Sequence, residues 1–253
     1  MTPSAPPSPE ALFWAHRLGH DVAFVLHPGQ VWAAPSVMDL VEGIWHAHPD
    51  RAHTLLRTRV FTTAPRSDLD HAIVQLCSRK LCAGVPTDQP GADGSPREVV
   101  DLRDAAASSR AEHVETSAVE LSDPRTLQAA VEALGEERPL ATRARPVIAL
   151  LLGPDHTVLD AARNTHGTHR LHHAEVNLVQ RWRARHGPTF PPGSRVLVSL
   201  QCCRMCAALL VDAAPPDGLP VGYLEPEPGR FGRHTALQAR GWEHPVATIE
   251  WTG

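Results

Sequence analysis

Lysine is almost missing from this chain: Lys80 is the only one in 253 residues. Arginine carries the basic charge and is outnumbered, with 24 basic side chains against 28 acidic and a formal net charge of −4. That balance excludes a protein that coats nucleic acid through bulk positive charge. The excess is uneven, because residues 1–117 hold ten basic and fourteen acidic side chains, whereas residues 118–253 hold fourteen of each. Any contact with RNA or DNA must therefore come from a local patch. Also missing is any apolar run near the roughly 20 residues that a membrane span needs. Residues 1–10 are rich in Pro and Ser and lack the basic-then-apolar pattern of a secretory signal. A soluble cytoplasmic protein is the expectation, with a toxin exported by another route as the alternative. Cysteine is scarce too. Of Cys77, Cys82, Cys202, Cys203 and Cys206, three fall in one short loop. That spacing excludes a disulfide scaffold and points to a reducing compartment.

Hydrophobic residues make up 42% of the chain, enough for a core, and the length allows one large or two ordinary domains. In the first half, residues 11–18 read as a short helix. Residues 22–26 and 30–33 flank His27-Pro28-Gly29 and read as a hairpin. Ser36 can cap a helix to about His46. Residues 58–63 read as a strand, 68–82 as a helix, 85–98 as a loop and 114–121 as a last strand. This is a small α+β domain, placed at residues 1–117. His46, His48 and His53, with Cys77 and Cys82, match no standard zinc spacing. They read as helix-end and loop histidines and two buried thiols.

The second domain, residues 118–253, opens with a helix from Ser122-Asp123-Pro124 to Leu134, which Gly135 ends. Residues 147–152 form a continuous apolar strand, and Gly153-Pro154-Asp155 turns it into an antiparallel partner at 157–162. The spacing of Ala174, Leu178, Val179 and Trp182 predicts a helix over 171–185. A buried strand at 195–200 leads into a helix at 205–213. A strand at 221–224, a short helix at 234–240 and a strand at 246–251 close the chain. A helix between those last two strands implies that they run parallel, since parallel neighbours need a crossover.

Two short patterns carry chemistry. One histidine and two cysteines, His173, Cys203 and Cys206, can fill three of the four tetrahedral positions of a zinc ion and leave the fourth to water. Glu175, two residues beyond the histidine, can take a proton from that water and pass it on. Each half is weak alone, since His-x-Glu is easily met in a chain with 16 histidines and a lone C-x-x-C can be redox or structural. Together, at two helix N-termini where thiolate and hydroxide are favoured, they match the signature of the zinc nucleobase deaminases.

On these residues the second half resembles the cytidine deaminase-like superfamily, most closely its tRNA adenosine deaminase and nucleic-acid deaminase branch. Ser199-Leu200-Gln201-Cys202-Cys203-Arg204-Met205-Cys206-Ala207 is similar to that branch's T-L-E-P-C-x-M-C-A. Pro146-Val147-Ile148-Ala149 is similar to its first strand, and Trp242-Glu243-His244-Pro245-Val246 to its N-H-x-V stretch. The resemblance covers about half the chain. Its two-part layout resembles a bacterial branch in which a distinct N-terminal globular domain precedes the deaminase. The resemblance implies an α/β/α sandwich around a mixed five-stranded sheet, a Zn²⁺ cofactor and Glu175 as the catalytic residue. It further implies Asn164 and Ala174 as substrate contacts, a nucleic-acid partner and homodimers. In this family the parallel order of the last two strands separates the nucleic-acid branch from the free-cytidine branch. Two departures stand out: Cys202 replaces a proline and Gln201 replaces a glutamate. Cys202 competes as a ligand, although the C-x-x-C register favours Cys203 with Cys206.

Other candidates stay open. Arg230, Phe231 and Arg233 sit among glycines and suit stacking on a base and holding phosphate, yet two nearby glutamates suit an ordinary surface loop. His166, His169 and His172 read as solvated loop histidines before substrate contacts. Arg181, Arg183 and Arg185 alternate along a helix and read as solvated. The expected activity is hydrolytic deamination of cytosine or adenine in nucleic acid, with RNA favoured over DNA. The alternatives are a deaminase of a free nucleoside, nucleotide or base, a non-catalytic zinc-dependent binding module and a DNA-mutating toxin.

Overall fold

The computed structural model describes residues 6–65, 67–77, 80–89, 91, 96–118, 146–165 and 171–246. Contacts divide the chain into two compact units, Met1–Ala111 and Glu112–Gly253.

The first unit is built on a five-stranded sheet. Helix α1 (Pro9–Leu18) starts at Ser8, whose side chain accepts from the Ala11 N–H, and it stops at Gly19, where φ is 89°. Strands β1 (Ala23–His27) and β2 (Gln30–Ala34) form the expected hairpin, with Gly29 at φ +78° in the turn. Ser36 caps α2 (Val37–Ala47), which is followed by the single turn α3 (Ala52–Leu55) and by β3 (Arg59–Thr62), antiparallel to β1. The helix expected over 68–82 ends early. It is α4 (Asp68–Cys77), and Lys80–Cys82 forms β4, parallel to β3. Sheet pairing wins there over a weak helical pattern.

The sequence reading also missed β5 (Glu98–Asp101), parallel to β2, and α5 (Arg103–Thr116). The strand expected over 114–121 is corrected by α5. Residues 103–116 contain no Gly or Pro, and Ala105, Ala106, Ala107 and Ala111 favour helix. Only Ala118 pairs as a strand residue, in a single bridge to Ala162; 119–121 lie outside the described residues. Sheet order is β4-β3-β1-β2-β5. Phe24 stacks on Phe61 with ring centres 5.2 Å apart, in a core shared with Trp14 and Val31. His48 packs against Trp32 and His53 against Trp45.

The second unit carries the chemistry. Strand β6 (Ile148–Leu152) is buried at every position and lies between two antiparallel partners, β7 (Val158–Arg163) and β8 (Arg195–Leu200). Helix α6 (Ala174–Arg185) separates β7 from β8 in the chain. Helix α7 (Arg204–Asp212) leads from β8 to its parallel neighbour β9 (Val221–Glu225). A 3₁₀ turn (Arg230–Gly232) and α8 (Ala236–Ala239), fixed by a Thr235–Gln238 capping box, lead to β10 (Glu243–Pro245). Strands β9 and β10 run parallel. The order β10-β9-β8-β6-β7 makes a mixed α/β unit, the fold class expected from the sequence.

Three readings need amendment or fall outside. The last described strand is Glu243–Pro245, in register with Val221–Tyr223, three residues ahead of the strand expected over 246–251; of that expectation, 247–251 lie outside the described residues. The helix expected over 122–134 also lies outside them. Arg181 is not solvated. It is 4% exposed, its Nη2 donates to Asp160 Oδ1 at 3.0 Å, and its Nη1 donates to the Val114 carbonyl at 2.6 Å. Arg183 reaches Asp212 Oδ2 at 2.9 Å, and Arg185 lies 3.7 Å from Asp160 Oδ2.

This buried pair pins α6 to β7. Removing one partner strands a buried charge, so Arg181→Leu should cost about 3–5 kcal/mol in urea unfolding. Pairing it with Asp160→Leu should restore most of that loss. A double variant no more stable than Arg181→Leu would show that the pair is not what holds α6.

Candidate metal centre and its pocket

His173 and Cys203 are each the N-cap of a helix, α6 and α7, with extended backbone (φ −70°, ψ 158° and φ −72°, ψ 168°). Neither makes a side-chain capping bond to its helix, so both side chains stay available for each other. The lead-in to His173 is tied on both sides. Thr165 N–H donates to the His172 carbonyl at 3.0 Å, and Asn177, buried in α6, donates to the Arg163 carbonyl at 2.8 Å and to Thr165 Oγ1 at 3.0 Å. The site thus forms at the starts of α6 and α7, the helices that follow β7 and β8 in the chain.

His173, Cys203 and Cys206 offer one nitrogen and two sulfurs, all within 4.8 Å of one another, and could hold a metal ion. His173 Nδ1 is 3.4 Å from Cys206 Sγ and 3.7 Å from Cys203 Sγ, and the two sulfurs are 3.5 Å apart. Among the described residues no other group of three such side chains gathers this way, and Cys202 is not part of it. Cys202, Cys203 and Cys206 are buried free cysteines. An imidazole and two thiols suit a soft or borderline ion better than calcium or magnesium.

Protonation is divided across the cluster. The hydrogen bond from Cys206 holds Cys203 well below the usual thiol range, outweighing burial, while His173 adds to the effect. Burial, then the neighbouring Cys203, push Cys206 well above that range. Burial alone would discharge His173, but the Cys203 thiolate and Glu175 outweigh it and raise the ring to about 9. Burial raises Glu175 against the pull of His173, and burial also drives Cys202 well up.

A cavity of about 160 Å³ opens on this cluster, lined by Asn164, His173, Ala174, Glu175, Gln201 and Cys203, with Val147, Leu200 and Glu227. Glu175 is 3% exposed and occupies the second position of α6, where the helix dipole favours negative charge. Asn164 is held by a reciprocal pair with Val147: its Oδ1 accepts from Val147 N–H at 2.9 Å, and its N–H donates to the Val147 carbonyl at 3.0 Å. Arg230, Phe231 and Arg233 are not among the lining residues. They lie in and just after the 3₁₀ turn, with the Arg230 guanidinium 5.0 Å from the centre of the Phe231 ring. His172 is buried against His113, ring centres 3.4 Å apart, so it is not a solvated loop histidine. His166 and His169 lie outside the described residues.

Sequence reasoning missed two carboxylates. Glu227 lines the cavity. Glu243, in β10, supports the cysteine loop: it accepts from Cys202 N–H at 3.2 Å, from Gln201 Nε2 at 3.1 Å and from Gln238 Nε2 at 3.1 Å. Burial raises Glu243, while Gln201 and Gln238 draw it back. A glutamate in the stretch that resembles the family's closing motif was visible in the sequence, but its partner across 41 residues was not.

A family-model match agrees with this geometry. Residues 138–248 match the family model of Bd3614-like deaminases, and every candidate site residue falls inside that stretch. A tRNA(Ile)-lysidine synthase of Deinococcus deserti is 29% identical over 119 residues, 46% of this chain but 22% of that protein. The chain therefore spans about a fifth of that curated relative's length. A structure solved in studies of A-to-I editing by tRNA:A34 deaminases at the wobble position of transfer RNA is 22% identical. It covers 36% of this chain and 69% of that one, at a TM-score of 0.30. Over its matched stretch the second unit is similar to the Bd3614-like deaminases.

Metal ligation needs thiolates and a neutral imidazole, so uptake must expel protons from Cys206 and from His173. Both groups are raised in the metal-free protein, so affinity should weaken as pH falls below about 9 and strengthen towards it. Competition between the protein and a chelator for Co²⁺ measures this. The same assay should show Glu243→Ala losing about tenfold in affinity as the cysteine loop loosens. A pH-independent affinity would contradict the protonation pattern.

Proposed function

We propose that the second unit is a zinc-dependent hydrolytic deaminase acting on cytosine or adenine in nucleic acid, with RNA favoured over DNA. The observation that carries the reading is that His173 and Cys203, two members of the His173-Cys203-Cys206 cluster, line one small cavity together with the buried carboxylate of Glu175. The donor set of one nitrogen and two sulfurs fits zinc in a three-ligand catalytic site. When bound there, zinc lowers the pKa of a water in its fourth position towards neutrality.

Glu175 does the proton work. Burial raises its carboxyl, so it accepts and holds a proton more readily than an exposed glutamate would. It takes a proton from the attacking water on a carboxylate oxygen, delivers it to the ring nitrogen beside the attacked carbon, and then serves the departing amino group. Water adds at C4 of cytosine or C6 of adenine and ammonia leaves, so the base gains an oxo group. Asn164, fixed by its pair with Val147, and Ala174 hold the base in place beside Glu175.

The parallel order of β9 and β10 favours a polymer, because in the family that order goes with the nucleic-acid branch. The cavity has room for one base, so a base in duplex must be unstacked before it enters. Exposed Arg230 and Arg233, with Phe231, are placed to meet the strand outside the cavity. The first unit serves as a positioning module. Among the described residues no helix is long and apolar enough to cross a membrane, and three buried free thiols in one loop suit the reducing cytoplasm.

Sequencing total RNA and DNA from cells expressing wild type or Glu175→Ala tests the reading. C-to-T or A-to-G changes should appear with wild type alone. In vitro, Glu175→Gln should keep its metal and fold while activity drops by about 10²–10⁴-fold. Wild-type turnover in Glu175→Gln would end the proposed mechanism. Turnover of free nucleosides without action on any polymer would move the assignment to a small-molecule deaminase.

A further inference from the structure

Every candidate residue of the metal centre lies within residues 138–248, yet a side chain from before that stretch is built against it. His113 belongs to the second unit and stands in the last turn of α5. Its ring packs on the ring of His172, with centres 3.4 Å apart and planes inclined by 47°. His172 is fully buried and immediately precedes the candidate ligand His173. His113 Nδ1 also shares a hydrogen bond with Thr165 Oγ1 at 3.1 Å. Thr165 in turn holds residue 172, since its N–H donates to the His172 carbonyl at 3.0 Å. His113 therefore reaches residue 172 twice, once through its own ring and once through Thr165.

The end of α5 is itself tied to the elements around the site. Arg181, in α6, donates from Nη1 to the Val114 carbonyl at 2.6 Å, and the Arg163 N–H, at the end of β7, donates to the Ser117 carbonyl at 3.1 Å. The Thr165 hydroxyl is also fixed by Asn177 Nδ2, at 3.0 Å. His173 draws no such support from its own helix, because as the N-cap of α6 it makes no side-chain bond to the helix start. Its Nδ1 lies instead 3.4 Å from Cys206 Sγ and 3.7 Å from Cys203 Sγ. A metal site tolerates ligand displacements of only roughly 0.2 Å. Deleting the His113 imidazole opens space beside a buried ring, and the surroundings relax partly into such space. The next residue along the chain from that ring is the ligand.

We infer that His113 is a positioning residue for the metal centre: through the ring of His172 and the hydroxyl of Thr165 it holds His173 where Cys203 and Cys206 can share an ion with it. It touches neither ion nor substrate. The inference rests on the metal-centre part of the proposed function and is independent of the base that is deaminated. Losing an outer support of a ligand costs about tenfold or more in metal affinity.

The test uses the full chain stripped of metal. Co²⁺ is titrated in competition with a chelator while the thiolate-to-cobalt absorption is read. His113→Ala removes both contacts and should bind roughly tenfold or more weakly than wild type. His113→Phe keeps a ring against His172, and His113→Asn keeps a polar atom for Thr165, so each should recover part of the loss. Phe190→Leu controls for stability alone. Phe190 is buried, and its N–H donates to the carbonyl of Ala213, the residue that ends α7 at the opposite end from Cys203. That variant should lower the melting temperature and leave the affinity unchanged. Wild-type affinity in His113→Ala overturns the inference. Should His113→Ala not fold, a loss in either of the other two His113 variants supports it, and wild-type affinity in both overturns it. An equal loss in Phe190→Leu also overturns it, because affinity would then simply follow stability. A wild type that takes up no Co²⁺ removes the metal-centre reading and this inference with it. The expected loss in His113→Ala, with no deamination of any strand by wild type, leaves this inference standing and removes the deaminase reading.

Discussion

Four groups that water would hold apart are brought together in a dry place: an imidazole, two thiols and a carboxylate. Burying any of them alone is costly, and burying them together is tolerable only if they share protons or a cation. His173, Cys203 and Cys206 do the first by dividing into a charged ring, a thiolate and a thiol, and their donor set invites the second. The rest of the second unit answers this demand. Two strands of one sheet, β7 and β8, flank β6, each is followed in the chain by a helix, and His173 and Cys203 are the N-caps of those helices. Placing ligands at helix starts also adds the favourable dipole to every negative charge in the cluster.

The cysteine loop departs from the family pattern at Gln201 and Cys202, and both departures have structural consequences. Without a proline at 202, a backbone N–H is present there, and Glu243 accepts it. Gln201, being an amide, both donates to Glu243 and accepts from Glu227, which a carboxylate could not do. The last strand, the metal loop and the loop after β9 are thereby joined through polar contacts around the cavity.

Much of this was legible in the sequence where the chemistry is local. His-x-Glu and C-x-x-C fix spacing within a turn of helix, so their placement at helix starts follows from periodicity alone. What escaped depends on long-range partners. Arg181 looked solvated because it alternates with Arg183 and Arg185 along one helix, and the reason for its burial is Asp160, on a strand 21 residues earlier. Glu227 read as part of a surface loop and Glu243 only as part of a family-like stretch, because Gln201, 26 and 42 residues away, gives no local signal. In the first unit, Glu98–Asp101 is a four-residue edge strand after a Gly- and Pro-rich run, too short for alternation to register. The helix over 103–116 was hidden by reading its end as strand, although its alanines favoured helix.

The account's central claim is that this cluster holds one zinc ion through three protein ligands and keeps a fourth position open. X-ray absorption at the zinc edge, on protein purified with its metal, tests that most directly. The account predicts two sulfurs at about 2.3 Å, one nitrogen at about 2.0–2.1 Å and one further light atom. The sulfur count should stay at two in Cys202→Ser and fall to one in Cys206→Ser. Three sulfurs in the wild type, reduced to two by Cys202→Ser, would contradict the claim, because Cys202 would then close the position on which hydrolysis depends.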